Sequence, residues 1–236
     1  MVYGFSGDMV YACFGHIAAR PARSNRANLK GTYQPAAMSP PPLLGLVLAG
    51  GASRRMSRDK GTISYHGEPQ VVHAWRLLTD VCGSAYVSTN ARNVGVAPYS
   101  ELPLIVDVGH SGGPASGLDA AWSRHPNAAW LTLAVDMPLV DRALLEELIA
   151  ARDAAAHATA FRHLDGIIEP LCTIWEPAAR ASLLERLAAG DASLRRFLET
   201  HSVALVAPST PDKLRSIDDP AARAALARVL GSSADS

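Results

Sequence analysis

Short apolar runs alternate with amphipathic segments along most of this 236-residue chain, and this alternation restricts the possible folds more than any other feature. Residues 44–48 form a continuous apolar run that ends in a glycine-rich loop, which is typical of a buried strand. Residues 69–82 then place apolar side chains near one face of a helix. The alternation predicts one α/β domain over residues 43–230, with a mostly parallel sheet covered by helices on both faces.

The remaining elements follow from the same periodicity and from capping residues. Further strands are predicted at residues 63–65, 85–88, 104–106, 130–135, 158–161, 167–175 and 203–206. Further helices are predicted at residues 114–124, 141–149, 177–189 and 193–200, and from residue 220 onward. Pro114 suits the first position of its helix, and Asp141 and Asp219 are the expected N-caps of theirs.

The two ends of the chain differ from this pattern. Residues 1–42 lack sustained apolar periodicity and end in a proline-rich stretch that can build neither a helix nor a central strand. We expect residues 1–42 to be a disordered extension, with a targeting peptide as the alternative. Residues 231–236 are expected to form a flexible tail.

Charge and cysteine usage exclude several classes of protein. The 22 basic residues balance 22 acidic ones, which argues against nucleic-acid or anionic-membrane binding through bulk charge. No apolar stretch approaches the roughly 18–20 residues that a transmembrane helix needs. The cysteines are scattered and form neither a Cys-x-x-Cys motif nor a cluster with histidine: Cys13, Cys82 and Cys172. A reduced, cytoplasmic setting is therefore expected, without a disulfide framework or structural zinc.

The loop after the first predicted strand has the features of a polyphosphate site. Gly50 and Gly51 are adjacent, so backbone N–H groups can approach an anion without hindrance from a Cβ atom. Four basic side chains follow within seven residues: Arg54, Arg55, Arg58 and Lys60. The spacing matches neither the P-loop of nucleoside triphosphatases nor the dinucleotide-binding fingerprint. A tight turn before a solvated basic loop is the alternative.

Carboxylates follow two of the predicted strands. Asp136 comes directly after residues 130–135, where a side chain points into the crevice in which α/β sheets bind ligands. Carboxylate oxygens suit Mg²⁺, which commonly bridges to substrate phosphates, so Asp136 is a predicted metal ligand. Asp107 has the same placement after residues 104–106, with a simple turn aspartate as the alternative. Asp218 lies next to the expected cap Asp219 and is a second candidate metal ligand.

A turn of small residues precedes the predicted helix at Pro114. Residues 112–117 are Gly-Gly-Pro-Ala-Ser-Gly, which would allow a flat ring to approach closely, and Ser116 offers a hydroxyl to a base edge. Helix–sheet packing is the alternative explanation for these small side chains.

These motifs together resemble those of the molybdenum cofactor guanylyltransferases, a family of nucleotidyltransferases with a Rossmann-like fold. The most specific match is Leu-Ala-Gly-Gly-Ala-Ser-Arg-Arg-Met-Ser-Arg-Asp-Lys at residues 48–60. Supporting matches lie at residues 107, 113–117, 136–138, 169–171 and 217–220. The resemblance covers nearly all of residues 43–230 and implies a three-layer α/β fold with a mostly parallel central sheet.

The resemblance also implies roles for individual residues. Residues at the first strand end would border the guanosine and phosphates: Leu48, Ala49, Gly50 and Gly51. Lys60 would bind the triphosphate, Asp107 would contact the nucleotide, and Asp136 would hold both nucleotide and Mg²⁺. The family's asparagine-containing strand end falls on residues 88–92, so either Ser88 or Asn90 takes the nucleotide-contacting place.

The implied reaction joins GTP and molybdopterin. A phosphate of the pterin would attack the α-phosphorus of GTP and expel pyrophosphate, which needs no general base because the phosphate is already ionised. Lys60 and Arg55 would offset the charge on the leaving pyrophosphate, with Mg²⁺ on Asp136 and Asp218. The implied partners are these substrates and proteins that insert the molybdenum cofactor, with no nucleic acid or membrane.

Two departures from the family pattern leave the choice of base open. Ser57 replaces a usual glycine in the phosphate loop, and Ala115 replaces a usual leucine in the Gly-Pro turn. A related nucleotidyltransferase that uses CTP or another small phosphorylated acceptor is the nearest alternative. A nucleotide-binding protein without catalysis is a second alternative, and the absent dinucleotide fingerprint makes a dehydrogenase the weakest.

Overall fold

The computed structural model describes residues 39–50, 59–107 and 113–217, together with Leu226, and contains a seven-stranded sheet. The strands are β1 (Leu43–Leu48), β2 (Ala85–Thr89), β3 (Leu104–Val106), β4 (Ala129–Ala134), β5 (Ala158–Arg162), β6 (Ile168–Trp175) and β7 (Val203–Val206). Their order across the sheet is β3-β2-β1-β4-β6-β5-β7. Strand β1 therefore lies inside the sheet, as its continuous apolar run predicts.

Most strand pairs are parallel, which confirms the prediction. Strand β1 pairs in parallel with β2 and β4, β2 with β3, and β5 with β7. Strand β6 is antiparallel to both β4 and β5. The carboxyl ends of β1 to β4 consequently lie at one edge of the sheet, where the beginning of β6 also arrives.

Helices cover both faces, as the alternating pattern predicts, so the domain has three layers. The helices are α1 (Gln70–Cys82), α2 (Pro114–Arg124), α3 (Arg142–Ala150), α4 (Ala179–Ala188) and α5 (Leu194–Thr200). Buried side chains of α1 and α3 share one apolar cluster with Val47 of β1. Those of α2, α4 and α5 share a second cluster with Leu46 and Leu48. Side chains of β1 thus alternate between the two clusters, as the strand pleat requires.

The capping predictions are confirmed where the structure describes them. The Asp141 side chain accepts a hydrogen bond from Leu144 N at 3.1 Å, and Pro114 is the first residue of α2. The strand predicted at residues 63–65 is wrong, because pairing there is limited to one bridge between Ser64 and Pro69. The chain reverses at once through Gly67, whose φ of +76° favours glycine. Of the helix predicted from residue 220, the structure describes only Leu226, which is helical.

The expected terminal extension and tail lie largely outside the described residues, which begin at Ser39. Pro42 O accepts a hydrogen bond from Ala129 N at 2.9 Å, beside the first residue of β1. No helix of the described part is long and apolar enough to cross a membrane.

A buried ion pair joins the start of β1 to the end of β6. Arg152 donates from Nε to Glu176 Oε1 at 2.6 Å and from Nη2 to Glu176 Oε2 at 2.9 Å. The same Nη2 donates to Pro41 O at 2.9 Å. The Glu176 side chain is only 1% exposed, so this bidentate pair is removed from water.

We expect Glu176→Ala to destabilise the protein by about 3–5 kcal/mol, because it leaves the Arg152 charge buried without its partner. Arg142→Ala is the matched control, since Arg142 pairs with Asp80 and Glu146 on the exposed surface and should cost about 0–1 kcal/mol. Urea unfolding followed by circular dichroism measures both free energies. Equal losses for the two variants would contradict the proposed importance of the buried pair.

Candidate functional site

Backbone hydrogen bonds continue the parallel ladder one residue beyond the strands and align the predicted site residues. They run from Ala49 N to Ser88 O at 2.9 Å, from Asp107 N to Thr89 O at 2.8 Å, and from Val135 N to Leu48 O at 3.2 Å. The residues that leave β1, β2, β3 and β4 are therefore neighbours at one edge of the sheet. This edge is where ligands bind in open α/β sheets.

Lys60 and Asp136 form an ion pair at this edge. Lys60 Nζ donates to Asp136 Oδ2 at 3.0 Å, and the two side chains are 23% and 18% exposed. Asp136 Oδ1 is buried and has no hydrogen-bond partner among the described residues. The pair brings together two residues that lie 76 positions apart in the chain. The sequence predicts that both take part in binding the nucleotide phosphates and their metal.

The turn that carries Lys60 is fixed by the residue before it. Asp59 is the N-cap of the 3₁₀ turn Lys60–Thr62, and its Oδ1 accepts a hydrogen bond from Gly61 N at 2.9 Å. Thr62 Oγ1 donates to Asp59 O at 2.9 Å. Burial and the nearby Asp59 carboxylate raise the pKa of the Tyr99 phenol, so Tyr99 stays protonated beside this turn.

Asn93 is a polar residue of this region that the sequence reasoning missed. Its Nδ2 donates to Asp59 Oδ2 at 3.2 Å and to Thr89 Oγ1 at 2.9 Å. Asn93 is 34 residues from Asp59 and belongs to no recognised motif, so no sequence signal pointed to the contact.

The first part of the predicted phosphate loop lies against β2. Leu48 and Ala49 are each 8% exposed, so their backbone borders the edge while their side chains are buried. A Cβ atom on Gly50 would lie 3.5 Å from Thr89 Cα, which is ordinary van der Waals contact. Gly51 and Arg55, with Arg54, Ser57 and Arg58, lie outside the described residues.

The structure distinguishes Ser88 from Asn90. Ser88 is 2% exposed and lies against α2, where a Cβ atom on Gly117 would come within 2.3 Å of Ser88 Oγ. Asn90 is half-buried at the end of β2, and its Oδ1 accepts a hydrogen bond from Arg92 N at 2.9 Å. Asp107 is also half-buried at the end of β3.

The C-terminal segment approaches Asp136 through the backbone. Ile217 N donates to Asp136 O at 2.8 Å, so the chain passes next to Asp136 immediately before residue 218. Asp218 itself lies outside the described residues. Within the described ranges, no three histidine, cysteine, aspartate or glutamate side chains are grouped closely enough to hold a metal ion together.

A cleft of about 290 Å³ lies between the start of α2 and the start of α5. It is lined by Pro114, Pro170, Leu171, Ala192, Ser193, Leu194 and Arg195. The antiparallel register pairs Leu133 with Cys172, so β6 begins at the edge where β4 ends. Burial raises the pKa of Glu169, although its Oε1 accepts a hydrogen bond from Leu171 N at 2.7 Å. The cleft thus adjoins the edge that holds the Lys60–Asp136 pair.

Comparison with known proteins agrees with this geometry. A molybdenum cofactor guanylyltransferase of Pseudomonas aeruginosa is 34% identical over 162 residues, which are 67% of this chain and 80% of that protein. A molybdenum cofactor biosynthesis bifunctional protein of Synechocystis is 30% identical over 212 residues, which are 89% of this chain but 61% of that protein. This chain therefore spans less than two thirds of the bifunctional relative.

A solved structure supports the fold. Molybdopterin-guanine dinucleotide biosynthesis protein A from Archaeoglobus fulgidus aligns with a TM-score of 0.66 at 21% identity, covering 80% of this chain and 99% of that one. Residues 45–205 match the family model of the MobA-like NTP transferase domain. The chain belongs to the MobA-like NTP transferase family, whose members are nucleotidyltransferases.

Proposed function

We propose that this protein transfers GMP from GTP to molybdopterin, forming the guanine dinucleotide cofactor and releasing pyrophosphate. The observation that carries the proposal is the Lys60–Asp136 ion pair at the carboxyl edge of the sheet. It joins a cation suited to phosphate and a carboxylate suited to a phosphate-bound metal. The names of the guanylyltransferase relatives support guanine as the base and molybdopterin as the acceptor.

The nucleotide would lie across the ends of β1, β2 and β3. Leu48, Ala49, Gly50 and Gly51 would provide backbone contacts, and Asp107 would reach the nucleotide from the neighbouring strand. Asn90 is a better candidate than Ser88 for the contact from β2, because Ser88 is buried against Gly117. This assignment needs no movement of α2.

The reaction is a displacement at phosphorus. An oxygen of the acceptor phosphate forms a bond to the α-phosphorus of GTP, and the bond from that phosphorus to the β-bridging oxygen breaks. Pyrophosphate leaves with the bonding electrons. Lys60 would release Asp136 and bind the phosphates instead. Together with Arg55, it would stabilise the negative charge of the leaving pyrophosphate. Catalysis then comes from positioning and charge neutralisation.

Asp136 fits a divalent cation that arrives with the nucleotide. Its buried Oδ1 lacks a partner among the described residues, and Mg²⁺ commonly uses one or two carboxylates together with substrate phosphates. We assign Asp136 as the ligand of Mg²⁺ and Asp218 as the second candidate, since Ile217 already bonds to Asp136 O. When bound, Mg²⁺ would neutralise phosphate charge.

The acceptor is proposed to occupy the cleft between the start of α2 and the start of α5. Its volume of about 290 Å³ is close to the lower end of the range for small-molecule sites. Arg195 on its wall is a cation suited to a phosphorylated acceptor. The proposal also includes delivery of the product to proteins that insert the cofactor. We also propose a cytoplasmic location, because the cytoplasm keeps thiols reduced and Cys82 and Cys172 are free thiols.

Lys60→Ala and Asp136→Ala are each expected to lower turnover by about 10²–10³-fold, because each removes an electrostatic contact to the reacting phosphates. The assay is pyrophosphate release from purified protein with GTP, Mg²⁺ and molybdopterin. Lys213→Ala is the matched control, because Lys213 pairs with Asp141 at the start of α3 and should keep wild-type turnover. Wild-type rates in either site variant would refute the assignment.

The same assay run with each of the four nucleoside triphosphates tests the base. Release of pyrophosphate with GTP alone is expected. Preferential turnover of CTP would show that the base is cytosine and not guanine. Nucleotide binding without turnover would favour a binding protein that has lost catalysis.

Metal binding in the absence of nucleotide should be weak in the wild type and tighter in Lys60→Met. Lys60 occupies Asp136 Oδ2 and Asp136 Oδ1 is buried, so a cation has to displace Lys60 before it reaches the carboxylate. Electron paramagnetic resonance of free Mn²⁺ during titration measures this affinity without any turnover. An unchanged Mn²⁺ affinity in Lys60→Met would show that Lys60 does not compete with the metal.

Arg195→Ala is expected to raise the KM for molybdopterin by about 10-fold, consistent with the loss of one hydrogen bond to a charged group. The affinity for GTP should stay unchanged, because the cleft is lined by residues of α2, β6 and the start of α5 and not by the ends of β1, β2 and β3. Steady-state kinetics and binding of a fluorescent GTP analogue measure the two effects. A rise in the GTP dissociation constant instead would place Arg195 in the nucleotide site.

A further inference from the structure

A chain of hydrogen bonds connects β2 to the turn that carries Lys60. Thr89, the last residue of β2, is fully buried, and its Oγ1 accepts from Asn93 Nδ2. The same nitrogen donates to Asp59 Oδ2, while Asp59 Oδ1 accepts from Gly61 N. Lys60 lies between Asp59 and Gly61, so its backbone is held on both sides by one carboxylate.

The exposure of the turn shows that the inward position of Asn93 is specific. Among residues 91–97 only Asn93 is not exposed, and the neighbouring Val94 is 51% exposed. A surface turn without a structural task would leave a polar asparagine in water. Here the amide group instead satisfies a carboxylate and a buried hydroxyl at the same time.

The contact between Asn93 and Asp59 also gives the carboxylates of Asp59 and Asp136 different roles. Asp59 directly precedes Lys60 in the chain, whereas Lys60 Nζ bonds to Asp136. Asp59 has both oxygens occupied, Oδ1 by Gly61 N and Oδ2 by Asn93 Nδ2. Its carboxylate is thereby directed to the backbone of the turn and to Asn93, while the ammonium group of Lys60 bonds to Asp136.

We infer that Asn93 is a positioning residue for Lys60, acting through the Asp59 carboxylate and anchored to β2 by Thr89. The role of Lys60 in turnover rests on the proposed function, whereas the position of its side chain does not. The test therefore measures both turnover and the chemical reactivity of Lys60.

Four variants test the hydrogen bond between Asn93 and Asp59: Asn93→Ala, Asn93→Asp, Asp59→Asn, and the double variant that exchanges the two residues, Asp59→Asn with Asn93→Asp. Asn93→Asp puts two carboxylates in contact, whereas the exchange restores the bond with its direction reversed. In the exchange the new amide at position 59 donates to position 93 and still accepts from Gly61 N, and the Thr89 hydroxyl rotates to donate. Asn127→Asp is the matched control, because Asn127 is exposed beyond α2.

Turnover should fall by about 10- to 100-fold in Asn93→Asp and Asn93→Ala, the loss expected for a hydrogen bond to a charged group. The effect should be on kcat more than on the KM for GTP, and the exchange should recover most of it. In a Lys60→Ala background Asn93→Asp should cause no further loss of kcat. All rates are measured below the thermal midpoint of the least stable variant.

Acetylation by acetic anhydride, read by mass spectrometry, reports on Lys60 without turnover. Only Lys30, Lys60 and Lys213 are present, so each site is resolved, and Lys213 is the internal reference. Asn93→Ala, which breaks the contact without adding charge, should speed acetylation of Lys60 relative to Lys213, because a Lys60 side chain released from Asp136 loses the carboxylate that favours its protonated form. The exchange variant should keep the slow wild-type rate.

Wild-type kcat and wild-type Lys60 acetylation in the two Asn93 variants would overturn the inference, as would an exchange variant no better than Asn93→Asp. If the wild type releases pyrophosphate from no nucleotide, the proposed function fails. The acetylation rates then decide the inference alone.

Discussion

The parallel pairing of β1 with β2 and β4 is the constraint on which the rest of the structure depends. Parallel strands bring their carboxyl ends to one edge, and three backbone hydrogen bonds carry the alignment beyond the regular strands. The segments that follow β1 and β4 therefore start close together, and Lys60 and Asp136 can meet although they are far apart in the chain. The apolar clusters keep both faces of the sheet out of water.

Lys60 and Asp136 offset each other's charge at this edge. A partly buried lysine and aspartate are each costly to desolvate alone, and their pairing offsets part of that cost. The same two groups are those that the proposed reaction separates, one toward phosphate and one toward a metal. Their mutual contact therefore lowers the cost of burying both groups and gives each a defined position from which to move.

The sequence predicted the strand ends well because periodicity and local chemistry determine them. Asp136 directly follows a buried run, and Asp141 caps a helix by a bond to a residue three positions later, so neither prediction needed tertiary information. The direction of β6 could not be read in this way, since an apolar strand has the same pattern when it runs either way. Asn93 was missed because its importance depends on a contact with Asp59 from another part of the chain.

The residues between β1 and α1 show the same limit. Alternation over residues 63–65 suggested a strand, but a strand needs a partner, and Gly67 turns the chain back after a single bridge. Ser88 and Asn90 were equivalent candidates in the sequence. The close approach of α2 at Gly117 is what buries Ser88 and separates the two.

The antiparallel direction of β6 affects how such a protein can evolve. The ends of β1, β2 and β3, where we place the nucleotide, come from residues before 108, whereas all but one of the residues that line the cleft lie between Pro170 and Arg195. The two halves of the sheet meet at the pairing of β4 with β6. Substitutions around the cleft can therefore alter the accepted molecule while the phosphate chemistry is inherited unchanged, which allows one catalytic edge to serve a lineage of different acceptors.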